Sequence, residues 1–82
     1  MTTKTELTGS SWTLLATAPT RVLLQPNGDI EVAISSSSPS EASGTYKVPS
    51  GEFADFVSVD TFTGNVYVRA NGLSATVSYD AA

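Results

Sequence analysis

The chain has no histidine and no cysteine among its 82 residues. Without histidine it lacks the side chain that titrates near neutral pH and most often serves as general base. Without cysteine it lacks the thiolate nucleophile, the disulfide staple and the soft metal ligand. Charge is scarce too: Asp, Glu, Lys and Arg make up 15 % of the chain, against about a quarter in ordinary domains. The four cations, Lys4, Arg21, Lys47 and Arg69, are scattered, and the net charge is −4. A nucleic-acid partner needs a basic stripe to displace counterions, so none is expected. No apolar run reaches 18 residues, so no membrane-spanning helix is expected. The opening Met1-Thr-Thr-Lys-Thr-Glu6 has no apolar stretch of the secretory kind, which suggests synthesis in a cytoplasm.

What remains is rich in hydroxyls, with 12 serines and 11 threonines. The length fits one domain with a thin core. Domains of this size need a staple. With disulfide and zinc both closed, oligomerisation or docking onto a larger body is the remaining one. A homo-oligomer is therefore expected.

Hydrophobic periodicity is of period two almost throughout. Residues 1–10 are polar with one apolar side chain, Leu7, and read as an N-terminal arm ordered by a partner. Residues 11–82 then form a single β domain. Trp12, Leu14 and Ala16 alternate in a first strand that Pro19 ends. Val22 and Leu24 mark a second, and Pro26-Asn27-Gly28-Asp29 reads as a turn into a third. There Ile30, Val32 and Ile34 point in while Glu31 and Ala33 point out. A hairpin is expected at that turn. The serine-rich stretch 35–44 reads as a long connection. Thr45 to Val48 and Phe53 to Val59 follow as strands. Phe53, Val57 and Val59 are in phase, Phe53 reads as core, and a bulge near Asp55 fits the broken alternation. Val66, Val68 and Ala70 alternate with Tyr67 and Arg69. Asn71-Gly72 signals a type I′ hairpin into Leu73, Ala75, Val77 and Tyr79. About seven strands with no helical period imply an all-β fold, a small antiparallel β-sandwich or flattened barrel.

The chemistry-bearing residues are few. A glycosidase needs two carboxylates facing across a cleft, and Asp29 and Glu31 fall on a strand face assigned to solvent. Asp60, Asn65 and the intervening carbonyls offer some calcium ligands but lack the alternating acidic ladder of a calcium loop. No catalytic, cofactor or metal site is therefore expected. Trp12, Phe53 and Tyr79 read as packing. Phe62 lies in a loop between polar residues, and Tyr67 shares the non-core face with Arg69. Large side chains in such places point to an interface. Leu7, Phe62, Tyr67 and Arg69 are the candidate contact residues.

The run from Trp12 through Arg21-Val-Leu-Leu-Gln-Pro-Asn-Gly-Asp-Ile30 to Ile34 resembles small β-proteins encoded among tailed-bacteriophage structural genes. Pro49-Ser-Gly-Glu-Phe53 and Gly64-Asn-Val-Tyr-Val-Arg-Ala70 are similar to the second half of that pattern. The resemblance covers residues 11–79 and is one of strand texture. It implies a non-enzymatic virion component, made in the host cytoplasm: a capsid decoration (cement) protein, or a tail- or fibre-associated subunit. Its partner would be a major capsid or tail protein. A carbohydrate-binding surface module is the alternative, and the pattern marks no functional residues.

Overall fold

A computed structural model describes residues 3–9, 11–37, 39, 46–60 and 63–81. They form eight strands: β1 (Thr3–Thr8), β2 (Thr13–Ala16), β3 (Thr20–Asn27), β4 (Ile30–Ser35), β5 (Tyr46–Val48), β6 (Ala54–Ser58), β7 (Asn65–Ala70) and β8 (Ser74–Ala81). Among the described residues there is no helix. The strands make two four-stranded sheets, ordered β1-β8-β3-β6 and β2-β7-β4-β5, and every pairing is antiparallel. The first strand pairs with the eighth, the second with the seventh, the third with the sixth and the fourth with the fifth. The chain is thus one long hairpin rolled across two layers, a jelly roll.

The alternation read from the sequence is what fills the space between the layers. Val22 and Leu24 of β3 and Ala75 and Val77 of β8 meet Ile30 and Val32 of β4 and Val66, Val68 and Ala70 of β7 in one core. Each strand places alternate residues on this face because successive side chains point to opposite sides of a sheet.

Residues 3–8 are not a free arm. They pair along their whole length with β8, Leu7 opposite Ala75, and Leu7 is 2 % exposed. The interface role expected of Leu7 is thereby corrected, because its side chain belongs to the core. A strand with one apolar residue needs little burial of its own when a completed neighbour, β8, supplies a full ladder of hydrogen-bond partners.

Two expected hairpins are absent. The turn at Pro26–Asp29 leads from β3 in one sheet to β4 in the other, and Asn71-Gly72 leads from β7 to β8 in the same way. Among the described residues none other than glycine has positive φ, so Asn71 does not take the type I′ conformation. The corners are held to each other instead. Ser50 Oγ accepts from Gly28 N at 2.9 Å, and Asp29 Oδ1 accepts from Ser50 N at 2.9 Å. Pro26 O accepts from Gly51 N, and Asp29 O from Asn71 N, both at 2.8 Å. Leu73 O accepts from Gly9 N at 3.0 Å. Four of the six sheet crossings therefore gather at one end of the sandwich, and β2–β3 and β6–β7 cross at the other.

At the opposite end Gly64 lies against the end of β4. Its φ is +124°, and a Cβ there would fall 2.6 Å from Ser35 N and 2.7 Å from Ser35 Cα. Gly64 O accepts a hydrogen bond from the buried Ser58 hydroxyl. Asn65 Oδ1 accepts from Ala18 N at 2.9 Å, tying β7 to the β2–β3 connection.

Candidate interaction surface

Of the four contact residues expected from sequence, the structure brings two together. Tyr67 and Arg69 lie on the outer face of the β2-β7-β4-β5 sheet. Leu7 is in the core, and Phe62 lies outside the described residues. Arg69 is engaged within the chain. Its Nε and Nη2 each stand 3.2 Å from Glu31 Oε1, and its Cζ is 4.5 Å from the centre of the Trp12 ring. Both side chains of the ion pair are 12 % exposed. Tyr67 sits between Leu14 of β2 and Ala33 of β4. This layer explains why Glu31 and Ala33 are buried although they point away from the core. Trp12 accordingly packs against the outside of a sheet, and its Nε1 is buried with no hydrogen-bond partner. That face is largely satisfied by its own side chains, leaving Leu14 half exposed.

The apolar side chains open to solvent concentrate elsewhere. β5 and β6 are terminal strands of the two sheets, on the same side of the sandwich. Phe53 is 67 % exposed, Val57 56 %, Val59 70 % and Tyr46 59 %. The register of β6 on β3 is regular from Thr20↔Ser58 to Leu24↔Ala54, so the bulge expected near Asp55 is absent. Val22 faces the core and pairs with Phe56, which fixes the inward parity of β6 as Ala54, Phe56 and Ser58. Val57 therefore points outward, and Phe53 and Val59 at the ends of the strand are exposed with it, contrary to the core placement read for Phe53. Phe56 packs against the core, with its ring 5.6 Å from that of Tyr46 at 54°.

The one charge in this strand is neutralised. Arg21 Nη2 donates to Asp55 Oδ2 at 2.6 Å, and Arg21 Nε lies 3.1 and 3.2 Å from the two carboxylate oxygens. These hydrogen bonds, with the attraction of the guanidinium, hold the Asp55 carboxyl below its ordinary range. The same pairing raises Arg21. The apolar texture of Phe53-Ala-Asp-Phe-Val-Ser-Val59 was visible in the sequence, with large residues on both parities. Which parity faced the core was not, since only the pairing to Val22 decides it.

Among the described residues no three acidic side chains gather as a metal site. Asp60 Oδ1 accepts from Thr63 N at 2.8 Å within its own loop, and Asn65 Oδ1 accepts from Ala18 N of the β2–β3 connection, so both candidate calcium ligands are engaged within the fold. Two surface concavities are open and mainly polar. One has Glu6, Thr8, Asn27, Ser74 and Thr76 among its lining, and the second Thr3, Thr17, Thr20, Tyr79 and Asp80. Neither brings two carboxylates together. Comparison with known proteins gives no match to a family model, to a curated protein or to a solved structure.

Proposed function

We propose that this chain is a non-enzymatic structural subunit that acts by assembly, in the manner of a capsid decoration protein on a virion surface. The observation that carries the reading is the apolar β5/β6 side of the sandwich, with Tyr46, Phe53, Val57 and Val59 all more than half exposed. Several exposed apolar side chains along one side of a small protein point to an interaction site. Covering such a side chain contributes about 1.5–3 kcal/mol, a large share of what a domain this small gains from its own core. Burial on a particle would therefore stabilise the particle and the subunit together. The jelly-roll arrangement supports the reading by analogy, being shared by capsid and lectin domains. The lectin-like alternative is favoured less, because the Tyr46 and Phe56 rings are tilted at 54° rather than lying as one flat platform for a sugar.

The test is co-sedimentation of the purified chain with particles assembled without it. The chain is expected to sediment with such particles and raise their resistance to heat. Failure to sediment with capsids or tails, together with binding to an oligosaccharide array, would replace this reading with the carbohydrate one.

A further inference from the structure

We infer that β6 is a self-association edge, and that its occupant is β6 of a second copy of this chain, paired antiparallel about a two-fold axis through Phe56. The inference rests on the assembly reading above and names the partner.

A terminal strand offers unpaired backbone donors and acceptors, and stable monomers protect it with charge, brevity or a bulge. Three of the four edges here are protected in these ways. β1 carries the exposed Lys4 and Glu6. β2 has four residues and a register shift between Leu14 and Ala16. β5 has three residues, one of them the exposed Lys47. β6 has five residues in regular register and one charge, already paired with Arg21.

Self-complementarity selects the register. Inward residues must oppose inward residues, so the numbers of opposed residues add to an even sum. Centring the axis on Asp55 sets two carboxylates directly opposite each other, which is destabilising. Centring it on Val57 sets Phe53 opposite position 61, three residues past the end of the strand. Centring it on Phe56 opposes the residues that flank the strand, Phe53 to Val59 twice, pairing an aromatic with a β-branched side chain. It also opposes Asp55 to Val57. Arg21 lies in the same row as Val57, so the partner's carboxylate falls two interstrand spacings from it, about 10 Å between Cα atoms. That is within joint reach of the two side chains, and each Arg21 then faces an acid on both its own and the neighbouring chain. Glu52 and Asp60 do not oppose one another, because both lie in turns: Glu52 N donates to Pro49 O and Gly64 N to Asp60 O. The axis brings the two Phe56 rings together on the inner side, where the neighbouring Tyr46 would also be covered. A two-fold pairing of this kind is closed and leaves only the protected edges outside.

The experiment is sedimentation equilibrium of the full chain over a range of concentrations, with thermal melts to verify folding. The wild type is expected to be dimeric. Phe53→Lys or Val59→Lys alone, at exposed positions, should weaken association by at least roughly tenfold with the melt unchanged at low protein concentration. Phe53→Lys combined with Val59→Glu in the same chain should restore association, because the two new charges face each other across the axis only in this register. A chain that stays monomeric up to about millimolar concentration overturns the inference. So does a dimer indifferent to both lysine variants, or a double variant no better than either single one. A dimer with these responses that fails to sediment with particles keeps the inference and removes the particle-binding function. A monomer that sediments with particles does the reverse.

Discussion

Replacing Gly64 with alanine should be the most damaging single-methyl change in this chain. The added Cβ would lie 2.6 Å from Ser35 N and 2.7 Å from Ser35 Cα, and both are backbone atoms of β4 that cannot rotate aside. The backbone at φ +124° adds strain of about 1–2 kcal/mol for an L residue. Forcing the strand end away costs about 1–3 kcal/mol more, as other overpacked sites do. The sum, about 2–5 kcal/mol, approaches the whole stability of a domain this small. Gly51→Ala is the control, since Gly51 also has positive φ, +87°, but open space where its Cβ would go. It should show the backbone cost alone. Trp12 is the single tryptophan, so its fluorescence can follow urea unfolding of both variants. With a urea slope of about 1 kcal/mol/M, Gly64→Ala should unfold about 1–3 M earlier than Gly51→Ala. Equal midpoints would refute the contact with Ser35 as the cause.

Deleting residues 1–8 should destabilise the fold rather than trim an arm, because it strips a strand from β8 and removes Leu7. Leu7→Ala alone should cost about 2–5 kcal/mol by chemical denaturation, and an unchanged midpoint for either variant would show that β1 is dispensable. The Arg21–Asp55 pair sets a pH dependence. The Asp55 pKa is lowered in the folded state from its ordinary value of 3.8, so its contribution is present above that value and is lost as pH falls through the folded one. Asp55→Asn should therefore flatten the acid limb of a stability profile below about pH 4 and leave the neutral region little changed, since exposed pairs contribute little there. An acid limb identical to wild type would show that the pair does not form.

The strands were legible in the sequence because alternation reports which side of a strand is apolar. Ile30, Val32 and Ile34, and Val66, Val68 and Ala70, are cases where that information was enough. Pairing was not legible. In a two-layer fold every strand buries one face, so Pro26–Asp29 and Asn71-Gly72 look alike whether they join neighbours in one sheet or cross between sheets. β1 was missed because a polar edge strand has almost no alternation of its own, and its place depends on β8, some 70 residues later. The apolar β6 edge was half visible. Phe53, Val57 and Val59 were seen in phase, but the face they occupy is set by Val22, on a distant strand.

The nested pairing also fixes how the outer ends of β1 and β8 lie to each other. Thr3 stands opposite Tyr79, so the outer ends of the first and last strands lie side by side, about one strand spacing apart. They sit at the end where β2–β3 and β6–β7 cross, far from the other four crossings. Sequence joined to β1 and sequence joined to β8 would emerge side by side, next to the β2–β3 connection. A few residues would suffice to join the two ends into a ring. The eight-strand unit is in that sense nearly circular, since joining the outer ends of β1 and β8 would leave every strand pairing in place.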